Sequence, residues 1–180
     1  MEEVKMKALI VMDMLDDFVR PAPIGALYCG PTIDPIVALI KVRIRVAIAD
    51  PDNWIVIYIN DAHEPDDLEF LRFPKHAVRG TEGARIVSEL LSEGPCILID
   101  KTRYSGFYGT QLEEVLIKSN VSEVTIVGCC TSICVMDTVG GLANRDYDII
   151  VPADEVADFD QEMHAMALKR MAALYGAEVV

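Results

Sequence analysis

Apolar, β-rich runs recur along this chain, and the stretches between them carry the three- and four-residue spacing of helices. That alternation restricts the fold more than any other feature. Ala8–Met12, Trp54–Asn60, Ile97–Asp100, Val124–Gly128 and Asp148–Val151 read as strands, and Glu178–Val180 as a short last one. They are nearly continuous apolar runs, as expected of parallel strands covered on both faces. Thr32–Ala49, Thr81–Ser92, Gln111–Lys118, Ser132–Asn144 and Asp160–Tyr175 read as helices. Pro35 fits a first turn capped by Asp34, and Gly176 stops the last helix. Thr81–Ser92 is assigned on its apolar spacing at Ala84, Val87, Leu90 and Leu91. Strands alternating with helices predict an α/β fold, a three-layer αβα arrangement around a mostly parallel sheet of about six strands. With 180 residues, one domain spanning residues 1–180 is the simplest expectation.

Composition excludes several classes. No apolar run approaches the roughly 20 residues of a membrane span, and the first residues resemble no signal peptide. A net charge of −13 disfavours nucleic acid and anionic membranes as partners. The five cysteines include no CxxC pair, which argues against a disulfide scaffold or a four-cysteine zinc site and for a reducing cytoplasm.

Three of the runs end on a reactive side chain. Ala8–Met12 leads into Asp13, Cys96–Asp100 into Lys101, and Val124–Gly128 into Cys129-Cys130-Thr131-Ser132-Ile133-Cys134. Neighbouring parallel strands would bring all three to the carboxyl edge, where open α/β sheets bind ligands. A cysteine at a helix start has its thiolate favoured by free N–H groups and the helix dipole. Those N–H groups can also hold an oxyanion. Asp13 is placed to take the thiol proton, and a lysine between them can balance both charges. Each residue also has an ordinary reading: a buried cysteine as a small apolar side chain, a strand-end aspartate, a solvated lysine. Cys29, Cys96, Cys129 and Cys130 are structural by default.

The irregular stretch Asp61–Gly80 is long enough to be functional or disordered. It carries Asp61, His63, Glu69 and His76, a nitrogen and oxygen set suited to Zn²⁺, Fe²⁺ or Mn²⁺. The competing reading is a solvated acidic loop, with Glu64, Asp66 and Asp67 as its neighbours.

Taken together, these segments resemble the nicotinamidase/isochorismatase-like cysteine hydrolase family over almost the whole chain. Asp13-Met14-Leu15-Asp16-Asp17-Phe18 is similar to the family's D-x-Q-N-D-F opening. Lys101-Thr102-Arg103-Tyr104-Ser105-Gly106-Phe107 matches its K-x-x-[YF]-S-[AG]-F segment. Gly128-Cys129-Cys130-Thr131-Ser132-Ile133-Cys134-Val135 matches its G-x-x-T-x-x-C-V segment. The resemblance implies an Asp13–Lys101–Cys134 triad, a cis peptide between Cys129 and Cys130, and oxyanion donors from the backbone N–H groups of Cys130 and Cys134. The loop resembles that of metal-containing nicotinamidases through Asp61-Ala62-His63, Phe73–His76 and Gly80-Thr81-Glu82-Gly83-Ala84. This implies a divalent metal, zinc first, with Glu69 as a further ligand and no organic cofactor. Two features depart from the pattern. Leu15-Asp16 stands where the family has Gln-Asn, and the loop between His63 and His76 is short.

The activity implied is hydrolysis of a small amide or carbamoyl compound through a cysteine thioester, with ammonia released. Nicotinamide is the first candidate and an N-carbamoyl amino acid such as N-carbamoylsarcosine the second. Phe18 and Phe73 are candidates to line the pocket or to pack in the core. Vinyl-ether-cleaving isochorismatases do not need the thiol, so Cys134 argues for an amidase. A non-amidase isochorismatase and an inactive metal-binding scaffold remain alternatives. Relatives are often dimers or tetramers, which implies a homo-oligomer.

Overall fold

The computed structural model describes residues 5–30, 33–91 and 94–180. Among the described residues seven strands form one sheet: β1 (Met6–Met12), β2 (Trp54–Asp61), β3 (Ile97–Lys101), β4 (Val121–Cys129), β5 (Asp148–Val151), β6 (Val156–Ala157) and β7 (Glu178–Val179). The order is β3-β2-β1-β4-β5-β7, with β6 beside the end of β4, and every pairing is parallel. The described helices flank it: α1 (Asp16–Val19), α2 (Ile33–Ile48), α3 (Leu112–Lys118), α4 (Met136–Ala143) and α5 (Gln161–Tyr175). Among the described residues no helix is long and apolar enough to cross a membrane.

Side chains alternate across the strands, which splits the core in two. Leu9, Val11, Val56 and Tyr58 face Ile33, Ile36, Val37, Ile40 and Ile44 of α2. Ala8, Ile10, Met12, Ile57, Ile59 and Ile126 face α3, α4 and α5 through Leu112, Leu116, Val139, Leu142 and Met171. Both faces of the central strands are thus buried, which is why they read as unbroken apolar runs.

The register sets the site. Met12 pairs with Ile59 on one side and Gly128 on the other, and Asp61 pairs with Lys101. The carboxyl ends of β1, β2, β3 and β4 therefore stop at one level, and the residues after them share one crevice. Gly128 is essential to that level: its φ is +110°, and a Cβ there would lie 2.0 Å from the Met12 carbonyl oxygen.

Most expected elements form, with α2 at Ile33–Ile48 and α5 at Gln161–Tyr175. Thr32, the expected start of α2, lies outside the described residues, and Asp34 sits inside the first turn. Asp160 caps α5 by accepting from the N–H groups of Glu162 and Met163. The expected helix Thr81–Ser92 is not one. Its described part is a series of turns ending in a 3-10 turn at Ser88–Leu90, and Ser92 lies outside the described residues. The backbone of this segment bonds to another part of the chain. Asp16 N donates to Arg85 O, Asp17 N to Gly83 O and Val87 N to Met14 O, and the Tyr58 hydroxyl donates to Leu90 O at 2.6 Å. Val87 and Leu90 are buried while Leu91 is exposed, so the apolar spacing imitated a helical face. The expected helix Ser132–Asn144 is also modified. It begins as a π-turn over Thr131–Val135, where Val135 N reaches back to Cys130 O, before α4 starts. The two-residue strand β6 is too short to leave a pattern in the sequence.

Candidate active site

Asp13, Lys101 and Cys134 meet at the carboxyl edge of the sheet. Lys101 Nζ lies 2.8 Å from Asp13 Oδ2, 2.5 Å from Asp61 Oδ1 and 3.4 Å from Cys134 Sγ. Asp13 Oδ1 accepts the Asp61 N–H at 2.7 Å. Cys134 Sγ and carboxylate oxygens of Asp13 and Asp61 all lie within 4.8 Å of one another. Asp13 is held there by backbone: its φ is +49°, and its N–H continues the ladder to Ile59 O at 2.9 Å. Lys101 is only 2% exposed, so the ammonium is not the solvated group a lysine usually is. It is the cation of a buried cluster with two carboxylates.

Burial governs the protonation of this cluster. It raises the Asp13 carboxyl to about 7, with the Asp61 charge adding to the effect and Lys101 opposing it. Burial also acts to raise Asp61, but Lys101 and His63 hold it at about 2. Burial works against the Lys101 ammonium, yet Asp13, Asp61 and Cys134 keep it charged. Burial pushes the Cys134 thiol up against the pull of Lys101, with Asp13 and Asp61 adding to the rise. The thiol is therefore protonated at rest and needs a base.

The second constellation also assembles. The loop after β2 folds back on itself: His63 N donates to Ala77 O, Arg79 N donates to His63 O, and a parallel bridge joins His63 to Val78. This brings the Asp61, His63 and His76 ligand atoms within 4.8 Å of one another. His76 Nε2 lies 3.8 Å from Glu69 Oε1, so Glu69 stands at the rim of the same group. Each imidazole has its outer nitrogen engaged. His63 Nδ1 meets Asp67 Oδ2 at 3.1 Å, and His76 Nδ1 meets Pro74 O at 2.8 Å. A donor Nδ1–H leaves Nε2 as a lone pair aimed inward, the arrangement that carboxylates and carbonyls impose on metal-ligating histidines. His63 Nε2 and Glu69 Oε2 are buried without a hydrogen-bond partner among the described residues. Burial and the Asp61 charge push the Glu69 carboxyl up. Two imidazole lone pairs and two converging carboxylates fit a divalent cation.

A cavity opens between the two constellations. Cys130, Cys134, Asp61, Glu69 and His76 form its polar end, and Phe18, Leu27, Phe73, Tyr104, Ile133 and Phe159 form its walls. Phe18 and Phe73 thus line the pocket, and Phe18 also packs edge-on against the His76 ring. The peptide between Cys129 and Cys130 is cis. Leu15 and Asp16 stand apart from the cavity: Leu15 is buried and bridges Ile86, and Asp16 pairs with Arg20.

Three supporting carboxylates are not among the site residues expected from the sequence, although Asp17 falls on the aspartate of the family's opening motif. Asp67, in an acidic stretch that reads as solvated, orients His63 and also binds Arg103. Asp17 accepts the Ala77 N–H at 2.7 Å and the Ala26 N–H at 3.1 Å, tying the loop that carries His76 to the one that carries Leu27. Gly83 packs directly on it, so close that a Cβ would lie 2.1 Å from Asp17 Oδ2. Asp158, fully buried, accepts the Ser132 N–H at 2.7 Å and so fixes the turn that carries Cys134. Each joins residues far apart in the chain, which local pattern cannot report.

A family model described as the isochorismatase domain matches residues 7–180. An isochorismatase family protein of Bacillus subtilis (strain 168) is 36% identical over 182 residues, covering 96% of this chain and 98% of the relative. Among solved structures, the pyrazinamidase of Pyrococcus horikoshii in complex with zinc gives a TM-score of 0.86 at 29% identity, covering 97% of this chain and 98% of that one. The N-carbamoylsarcosine amidase of Thermoplasma acidophilum gives a TM-score of 0.81 at 31% identity, covering 97% and 95%.

Proposed function

This chain belongs to the isochorismatase family of hydrolases, and within that family we propose an amidase that releases ammonia from a small, uncharged, flat carboxamide. The observation that carries this reading is the buried thiol of Cys134, 3.4 Å from Lys101 Nζ and beside Asp13, at the polar end of a ring-lined cavity. Asp13 takes the thiol proton, and the sulfur attacks the amide carbon. The backbone N–H groups of Cys130 and Cys134 hold the oxyanion. The C–N bond breaks, ammonia leaves with the proton from Asp13, and a thioester remains on Cys134. Water then attacks the thioester, Asp13 takes its proton, and the acid and the thiol are released. A carboxyl raised to about 7 suits a group that must both accept and return a proton near neutrality. Lys101 keeps Asp13 in place and balances the charge that builds on sulfur.

Asp61, His63, Glu69 and His76 would hold a divalent ion, zinc first. Such an ion supplies a Lewis-acid contact that positions the substrate beside the sulfur. The pyrazinamidase with zinc supports this ligand chemistry.

The cavity favours an aromatic amide over an N-carbamoyl amino acid. Lys101 is the cation nearest the sulfur, and two carboxylates already neutralise it. Among the described residues no lysine or arginine lines the cavity, so only the proposed ion could pair with the carboxylate of a carbamoyl amino acid, whereas the ring-bearing walls suit an aromatic amide. The likeness to N-carbamoylsarcosine amidase keeps that substrate as the second reading. The test is ammonia release by the zinc-loaded protein from nicotinamide, pyrazinamide, benzamide and N-carbamoylsarcosine. The ring amides should turn over, and Cys134→Ala should abolish it. Turnover of N-carbamoylsarcosine alone would transfer the assignment to the second reading. No ammonia from any of them, or undiminished release by Cys134→Ala, overturns the amidase.

A further inference from the structure

Two thiols outside the reacting group lie in contact. Cys29 Sγ is 3.7 Å from Cys130 Sγ, and the two residues are 101 positions apart in the chain. Both are buried, but their surroundings differ. Cys130 lines the cavity, so a small solute that enters the site reaches it. Cys29 lies behind it on a segment outside helices and strands, held by its N–H to Phe18 O. Leu27, two residues away, is itself a cavity wall. Of the other thiols, Cys129 neighbours both of these but has its Sγ donating to Asp13 O, Cys134 faces Lys101, and Cys96 is exposed.

We propose that Cys29 and Cys130 are an oxidation site, which a peroxide entering the cavity converts to a reversible disulfide. The peroxide takes Cys130 to its sulfenic acid and leaves as water. The Cys29 sulfur then attacks, the S–O bond breaks, and a second water carries away the Cys29 proton. Two thiols and one hydrogen peroxide thus give one disulfide and two waters. The sulfurs close from 3.7 Å to about 2.05 Å, a shift that side-chain rotation and the irregular Cys29 segment can absorb. The link draws the Cys130 side chain out of the cavity wall and pins the Leu27 segment to the turn that carries Cys134. On the amidase reading above, turnover then falls under oxidation and returns on reduction.

The experiment treats the zinc-loaded protein with hydrogen peroxide, blocks free thiols, and maps cross-linked peptides by tandem mass spectrometry. Parallel samples carry Cys29→Ser, Cys130→Ser or Cys129→Ser. A Cys29–Cys130 link that survives Cys129→Ser, disappears in the other two variants and is opened by dithiothreitol is the expected result. The link should also raise the unfolding temperature by several degrees, because it closes a long loop. No link, or one made through Cys129 or Cys134, overturns the proposal. In the activity arm, the wild type should lose turnover reversibly while Cys29→Ser, normal before treatment, keeps it. Equal loss in Cys29→Ser would trace inhibition to Cys134 and overturn the switch. The peptide map decides the site even if no amide proves to be a substrate.

Discussion

Gly83→Ala tests whether Asp17 braces the metal loop as its contacts indicate. The glycine is not held by its backbone, since its φ lies outside the positive range in which five other glycines fall. On conformational grounds alone, alanine should stabilise by about 0.4–1 kcal/mol. The space argues otherwise. An added Cβ would lie 2.1, 2.3 and 2.4 Å from Oδ2, Cγ and Oδ1 of Asp17. The short carboxylate cannot step aside without releasing both its donors, the N–H groups of Ala77 and Ala26. Hydrogen bonds to a charged group contribute about 1.5–3 kcal/mol each, so the two together make a loss of about 3–6 kcal/mol, offset only slightly by the entropy gain. Urea unfolding should show this loss. Zinc affinity should fall about 10- to 100-fold, as when the support of a ligand is removed, because Ala77 directly follows His76. The cause is isolated by the double variant. In an Asp17→Ala background the clash is gone, and Gly83→Ala should cost almost nothing. A neutral or stabilising Gly83→Ala in the wild-type chain, or the same cost in both backgrounds, would refute the reasoning.

Burial, reinforced by the Asp61 charge, raises Asp13 to about 7, and a base must be ionised to accept the thiol proton. kcat/KM for a ring amide should therefore fall about tenfold per unit below pH 7, and a profile flat from pH 5.5 to 8 would count against Asp13 as the base. Lys101→Met leaves Asp13 and Asp61 as adjacent buried carboxylates without their cation. It should cost about 3–5 kcal/mol in urea unfolding along with most turnover, and a cost under about 1 kcal/mol would contradict a buried cluster. Zinc at about a hundred times its Kd should stabilise the folded chain by about 2.7 kcal/mol. Thermal unfolding should show this stabilisation, a chelator or His63→Ala should remove it, and an unchanged midpoint with zinc would argue against the site.

Much of this was legible in the amino-acid sequence because it is local. β-Branched runs buried on both faces announce their strands, and the residue after each run is fixed by counting. That counting puts Asp13 and Lys101 directly after their runs and Cys134 in the segment after Val124–Gly128, and the spacing of Asp61, His63, Glu69 and His76 marks the second constellation. Local pattern also misled. Ala84, Val87, Leu90 and Leu91 carry helical spacing, but the backbone of this segment is bonded at Gly83, Arg85 and Val87 to residues 14–17 and at Leu90 to the Tyr58 hydroxyl. Tertiary hydrogen bonds outweighed a weak helical preference.

What the sequence determined by itself is which side chains stand at strand ends, since a strand's limits follow from the burial of its own residues. What only the tertiary structure decided is which of them touch. That depends on sheet register, which places Asp61 opposite Lys101 and Met12 opposite Gly128. It depends equally on chain returns that let Asp17 and Asp158 accept N–H groups, and Asp67 the Arg103 guanidinium, from elsewhere in the chain. A buried polar group must find a partner, but nothing in the chain order says which one, because the partner is chosen by the packing of the whole.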